Sequence, residues 1–246
     1  MKWFYLLLLV LGIGIGGYIM TNQTPYTGNI VLVGPPGSGK GTLATKISEH
    51  TQLPILTVST VLKQAMQEDE TLAKEAKALM DQGKFVSDEI IERVLSKELT
   101  HEKYQQGVIF DGFPRTLQQT SFFANNDIQV DLLLVLELDS DIIVERMAGR
   151  RVHLPSGRMY HITNNPPKVA GKDDLTGEAL SQRADDDPEI VRRRLVDYEA
   201  LTMPVLTWAQ SEEGNQVSHI VAIDASLSID QVWQITQVHL DKMNQS

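Results

Sequence analysis

The stretch "GPPGSGKGT", residues 34–42, constrains the fold of this chain more than any other feature. It satisfies the pattern G-x-x-x-x-G-K through Gly34, Gly39 and Lys40, and it follows the apolar run "NIVLV". In a strand–loop–helix context, the glycines of this pattern let backbone N–H groups turn inward around phosphate oxygens, and the lysine adds a mobile positive charge. The sequence therefore predicts a phosphate-binding loop between a buried strand and a helix.

Five short apolar runs are spaced along the chain as the strands of a parallel sheet are. They are "NIVLV" (29–33), "LPIL" (53–56), "VIFDG" (108–112), "LLLVLELD" (132–139) and "HIVAIDA" (219–225). Longer helical segments separate the runs, and parallel strands need such crossover connections. The predicted fold class is α/β, with helices on both faces of a five-stranded parallel sheet.

Composition narrows the function classes. The chain has 246 residues, a formal net charge of −10 and no cysteine. The absence of cysteine excludes disulfides and thiolate metal sites, and the negative charge argues against a nucleic-acid partner. Eight of the ten arginines lie between Arg146 and Arg194. This cluster is either a binding site for a polyanion or a solvated charged face, and composition alone leaves both open.

Residues 3–20 carry no charge, and a short polar linker over 23–28 follows them. As a helix, these residues would span about 27 Å, which is just enough for the hydrocarbon core of a bilayer. A cleaved signal peptide and another kind of packing are the alternatives. We expect segment 1–22 to be an uncleaved membrane anchor through residues 3–20. The side of the membrane stays open, and without an anchor the chain would be cytoplasmic.

Three motifs together suggest a family. Lys40 is followed by Gly41 and Thr42, and "DGFPRT" (111–116) and "GRRVH" (149–153) come later in that order. In these motifs the chain resembles the adenylate kinases with a long lid, from Asn29 to about Met243. The resemblance implies a monomer that reversibly transfers the γ-phosphoryl group of Mg·ATP to AMP, giving two ADP.

The resemblance also implies a division of the chain into three parts. A P-loop NTPase core of three α/β/α layers would comprise 29–56, 87–148 and 187–246. A small helical insert for the nucleoside monophosphate would comprise 57–86, and a small β-rich lid 149–186.

The resemblance assigns roles to the residues of its motifs. The catalytic set would be Lys40, Arg115, Arg146, Arg150, Arg183 and Arg194. The ATP site would comprise Gly37, Ser38, Gly39, Lys40, Gly41, Thr42, Arg146, Arg150 and Tyr160. The AMP site would comprise Val58, Lys63, Lys84, Val86, Gly112, Arg115, Gln119, Arg183 and Arg194. Asp111, at the end of an apolar run, would hold Mg²⁺ through water. On a helix, Arg146 and Arg150 would face the same way, since they are four residues apart.

In some members of the family, the residues at four lid positions bind a zinc ion. Here they are His153, Ser156, Asp173 and Thr176. Serine and threonine hydroxyls are poor zinc ligands, so we expect no structural zinc and a hydrogen-bond network instead.

The acceptor site departs from the family pattern at two positions. Val58 stands where the family has a threonine that contacts adenine, and Lys63 stands where it has an arginine that binds the acceptor phosphate. A lysine offers a point charge in place of a two-pronged guanidinium. Three hypotheses follow: an adenylate kinase with weakened AMP affinity, a kinase for another nucleoside monophosphate, or a membrane-tethered nucleotide-binding protein with little turnover.

Overall fold

Five parallel strands form the central sheet of a computed structural model that describes residues 26–80 and 86–244. In chain order the strands are β1 (Ile30–Val33), β2 (Ile55–Thr57), β3 (Ile109–Asp111), β4 (Leu132–Glu137), β5 (Arg150–Val152), β6 (Met159–His161) and β7 (Ile220–Asp224). The central sheet has the order β2-β3-β1-β4-β7. All of its pairings are parallel, which confirms the predicted fold class and its five strands.

Both faces of the sheet are covered, and this explains why its strands have continuous apolar sequences. Val31 and Val33 of β1 point into an apolar cluster on one face. Ile30 and Leu32 point into a second cluster on the opposite face, where Leu43 of the following helix packs. Because successive side chains of a strand alternate between faces, a strand between two clusters has no polar position.

Nine α-helices are formed by the described residues: α1 (Lys40–Thr51), α2 (Val58–Glu68), α3 (Glu70–Met80), α4 (Asp88–Glu98), α5 (Ser121–Asn125), α6 (Ser140–Gly149), α7 (Pro188–Asp197), α8 (Met203–Ala209) and α9 (Ile229–Met243). A π-helix, Tyr198–Thr202, joins α7 to α8. Helix α7 starts where its sequence indicates: the Asp187 side chain accepts the backbone N–H of Glu189, and Pro188 occupies the first turn.

Strands β5 and β6 form a separate small sheet. They pair antiparallel, with Arg151 opposite Tyr160, and Val152 makes a further bridge to Ser181. The segment expected to be a small β-rich lid therefore contains β-structure, and its strands are antiparallel.

The predicted membrane anchorage is contradicted. Within 26–80 and 86–244, no helix is both long enough and apolar enough to cross a membrane. The longest of these helices, α9, has 15 residues and spans about 22 Å, shorter than a bilayer core of about 30 Å. Residues 3–20, on which the prediction depended, lie outside the described residues.

Candidate active site

The loop after β1 is shaped by glycines. Gly37 and Gly39 have φ angles of 82° and 94°, a left-handed conformation that glycine adopts without strain. A Cβ atom on Gly37 would also lie 2.8 Å from the sulfur of Met147 in α6. Gly39 is the N-cap of α1, so the loop leads directly into the free N–H groups of a helix N-terminus. Ser38 is buried and Thr42 is exposed beside this helix start.

The side chain of Lys40 folds back and binds the backbone of its own loop. Its Nζ donates to the carbonyl oxygens of Gly34 and Pro35, at 2.7 and 2.8 Å. Burial lowers the pKa of Lys40 to about 8. The charges that act on this pKa belong to Asp111, Arg115, Arg194 and Arg150. The structure therefore brings these four predicted side chains close to the lysine.

Asp111 ends β3, beside β1 at the carboxyl edge of the sheet. One of its carboxylate oxygens is 3.5 Å from the point where a Cβ on Gly41 would lie, so the acid borders the loop. Burial raises the pKa of Asp111, and the charges of Lys40 and Arg115 oppose this rise. Asp111 is half-buried, and a carboxylate of this kind fits a divalent cation, which would compensate its charge.

Arg115 lies close to a second positive charge. Its Nε donates to the carbonyl oxygen of Gly112 at 2.8 Å, and Gly112 has a φ of 79°. Burial lowers the pKa of Arg115, and the nearby charge of Arg194 lowers it further. Two like charges held together in this way form a site for an anion.

Three of the arginines are neutralised by acids that the sequence analysis did not single out. Arg183 donates twice to Asp185, at 2.8 and 2.9 Å, and Arg194 donates to the same carboxylate at 2.9 Å. Arg150 pairs with Asp186. The sequence "RADD", residues 183–186, carried the signal, because it places these acids directly after an arginine.

Arg146 is directed elsewhere. Its guanidinium donates to the carbonyl oxygens of Ala225 and Ser226, at 2.6 and 3.1 Å, just beyond β7. Helix α6 ends at Gly149, and Arg150 continues with extended backbone. The expectation that Arg146 and Arg150 share one helix face is therefore wrong.

Three of the predicted acceptor residues, Val58, Lys63 and Val86, lie in α2 or just before α4. Val58 and Val86 are half-buried against the apolar cluster that the two helices share with the sheet. Lys63 is exposed on α2. Lys84 lies outside the described residues.

Gln119 is not open to a base in this conformation. The residue is buried, its Oε1 accepts the backbone N–H of Arg115 at 2.7 Å, and its Nε2 donates to Asp88 at 2.6 Å. Both ends of the amide therefore hold the loop of Arg115 against the start of α4.

Comparison with known proteins identifies the family of this chain. The family profile described as "Adenylate kinase" matches residues 32–214. The adenylate kinase of Photorhabdus laumondii subsp. laumondii is 39% identical over 212 residues, which cover 86% of this chain and 99% of that protein. The adenylate kinase of Sodalis glossinidius is 39% identical over 203 residues, covering 82% and 95%. The chain belongs to the adenylate kinase family. It is a phosphotransferase, as the resemblance implied.

The four predicted lid residues are brought together. His153 Nδ1 lies 2.6 Å from Ser156 Oγ, and Thr176 Oγ1 donates to Asp173 at 2.9 Å. Among residues 26–80 and 86–244, no group of three or more histidine, cysteine, aspartate or glutamate side chains is placed to hold a metal ion.

Three further lid side chains extend this network, and the sequence analysis did not connect them with it. Arg158 donates to both oxygens of Asp173, at 2.8 and 2.6 Å, and Glu178 lies 2.6 Å from His153 Nε2. Tyr160, expected at the ATP site, also donates its hydroxyl to Asp173, at 2.9 Å. The hydroxyl of Tyr160 is therefore part of the lid network.

The small sheet lies over the phosphate-binding loop of the kinase. The methyl carbon of Met159 in β6 is 3.9 Å from the point where a Cβ on Gly41 would lie. Strand β6 of the segment 149–186 therefore lies beside the first turn of α1.

Proposed function

We propose that this protein transfers the γ-phosphoryl group of Mg·ATP to AMP, reversibly, giving two ADP. The observation that supports this most is the convergence of Lys40, Arg115, Arg150 and Arg194 beside a glycine-shaped loop and the half-buried carboxylate of Asp111. We also propose that the core, the insert 57–86 and the lid 149–186 are its working parts.

On the donor side, the loop's backbone N–H groups and Lys40 would hold the β- and γ-phosphates. Lys40 would exchange its bonds to Gly34 and Pro35 for phosphate oxygens. Mg²⁺ would be held through water by Asp111, and when bound it supplies positive charge that offsets the charge on the phosphates.

The transfer forms a bond between an α-phosphate oxygen of AMP and the γ-phosphorus, and it breaks the bond from that phosphorus to the β-bridging oxygen. Phosphate is already an anionic nucleophile, so positioning and charge neutralisation contribute most of the catalysis. Arg115 and Arg194 would approach the transferring group from the acceptor side, and Arg150 and Arg183 from the lid side. Asp185 and Asp186 would neutralise the arginines when no nucleotide is bound.

The predicted acceptor site differs from the family pattern at Val58 and Lys63. Val58 cannot hydrogen-bond a base through its side chain, and Lys63 offers one ammonium group where a guanidinium would make two parallel bonds. These two residues favour a raised KM for AMP, and they are compatible with a preference for another nucleoside monophosphate.

The test is an assay of the full chain for ADP formation from Mg·ATP, with AMP, UMP, CMP and GMP as acceptors at equal concentration. We expect turnover with AMP, and none in a Lys40→Ala variant that remains folded. A preference for another monophosphate would replace AMP in the proposal. Intact ATP binding without turnover on any acceptor would overturn it.

A further inference from the structure

A threonine outside the predicted site holds the backbone of Arg115. Thr202 is buried, and its hydroxyl donates to the Arg115 carbonyl oxygen at 2.8 Å. The N–H of Arg115 donates to Gln119 at 2.7 Å. The main chain of Arg115 is therefore held on both its donor and its acceptor side, and Thr202 supplies the contact from a different part of the fold.

A π-helix lies between Arg194 and Thr202. Helix α7 carries Arg194, and the π-helix continues it from Tyr198 to Thr202, with the N–H of Met203 donating to the Tyr198 carbonyl five residues back. In a continuous α-helix, two residues eight apart lie about 80° from each other around the axis. The wider π-turn takes up one extra residue without further rotation about the helix axis. The other seven residues rotate the chain by nearly two full turns, about 20° short.

The π-helix thus brings Thr202 to nearly the same face as Arg194. One continuous helical segment then carries Arg194 directly and holds Arg115 through Thr202. Because the two guanidinium groups repel each other, their spacing depends on the elements that hold them.

We infer that Thr202 is a positioning residue, which fixes the separation of Arg115 and Arg194 and so the fit of the transferring phosphoryl group between them. It does this through its hydroxyl bond to the Arg115 carbonyl, without touching the substrate. The inference rests on the proposed function, since it needs Arg115 to act in transfer.

The first test removes the hydroxyl group of Thr202. Thr202→Val keeps the shape of the side chain and removes the donor, and we expect kcat to fall about 3- to 10-fold, the effect of losing one neutral hydrogen bond. The KM for ATP should change less than twofold, because the donor loop is untouched. Thr202→Ser retains the hydroxyl and should keep kcat near the parent value.

The matched control is Thr236→Val. Thr236 is also buried, and its hydroxyl donates only to Val232 within α9. We expect this variant to lose stability without losing kcat. If Thr202→Val does not fold, Thr202→Ala and Thr202→Ser, which differ only in the hydroxyl, make the same comparison.

A double-mutant cycle separates positioning from general destabilisation. In an Arg115→Ala background, assayed at raised enzyme concentration, we expect Thr202→Val to have no further effect on kcat. An equal loss in both backgrounds, an unchanged kcat in Thr202→Val, or no rescue by serine would overturn the inference. If Arg115→Ala itself leaves kcat unchanged, the proposed function fails at Arg115 instead.

Discussion

Arg150 and Asp186 form an ion pair in which the carboxylate is fully buried and the guanidinium is 19% exposed. Nε of the arginine donates to the acid at 3.0 Å, and a second guanidinium nitrogen donates to the other oxygen. A buried charge with one partner removed loses its compensation without regaining water. The pair therefore fixes the position of Arg150 and contributes to the stability of the fold around it.

Asp186→Asn should lower the free energy of unfolding by about 2 to 4 kcal/mol, because Arg150 would lose its charged partner in a largely buried place. Urea unfolding measures the change. The control is Glu70→Gln, which breaks the exposed pair with Lys74 and should cost less than about 0.5 kcal/mol. Equal losses of unfolding free energy in the two variants would show that burial does not make the Arg150–Asp186 pair more stabilising than an exposed pair.

Lys40 should make the stability of the nucleotide-free enzyme depend on alkaline pH. Its pKa is lowered to about 8 by burial, so between about pH 8 and its unfolded pKa near 10.4 the unfolded chain binds more protons. Stability therefore rises with pH in this window, by about 2 kcal/mol between about pH 7.5 and about pH 10. Lys40→Met should lack this rise.

The measurement for Lys40 is the difference in unfolding free energy between the parent and Lys40→Met at the two pH values. Groups other than Lys40 titrate in both proteins and cancel in the difference. Parallel pH profiles would mean that Lys40 keeps an ordinary pKa in the folded state.

Lys63→Arg should lower the KM for AMP by about 3- to 10-fold, because a guanidinium makes two bonds to a phosphate where an ammonium acts as a point charge. The KM for ATP should stay the same. Lys46→Arg, at a half-buried position paired with Asp230, is the control and should change neither constant. An unchanged KM for AMP in Lys63→Arg would remove Lys63 from the acceptor site.

Asp173→Asn should lower the Tm by several degrees at neutral pH. The Arg158 guanidinium, followed by hydrogen bonds from Thr176 and Tyr160, holds the pKa of Asp173 well below its usual range. A carboxyl with a lowered pKa stabilises the fold above its unfolded pKa of about 3.9, and this contribution is lost as the pH falls towards the folded value. The Tm gap between parent and variant should therefore narrow below about pH 4.

The control for Asp173 is Asp174→Asn. The side chain of Asp174 accepts the backbone N–H of Lys168 at 2.7 Å and takes no part in the network around His153. A Tm loss equal to that of Asp173→Asn, or a gap independent of pH, would contradict the account of the lid network.

The sequence by itself determined the sheet and the phosphate-binding loop, because both depend on local patterns. Apolar runs such as "LLLVLE" are buried on two faces, and Gly37 and Gly39 adopt backbone angles that few other residues tolerate. Family motifs also identified Lys40, Asp111 and Arg115, which the fold then placed at one edge of the sheet.

Only the tertiary structure decided which groups neutralise and hold the arginines. Asp185 pairs locally with Arg183. The pairings of Asp185 with Arg194, of Asp186 with Arg150 and of Thr202 with Arg115 join residues far apart in the sequence, and no spacing in the sequence encodes those distances. Tertiary structure likewise decided that Arg146, near the end of α6, donates to the Ala225 carbonyl oxygen, and that Gln119 donates to Asp88, at the start of α4. Local patterns fix backbone conformation, whereas hydrogen-bond partners between elements depend on the packing of the whole core.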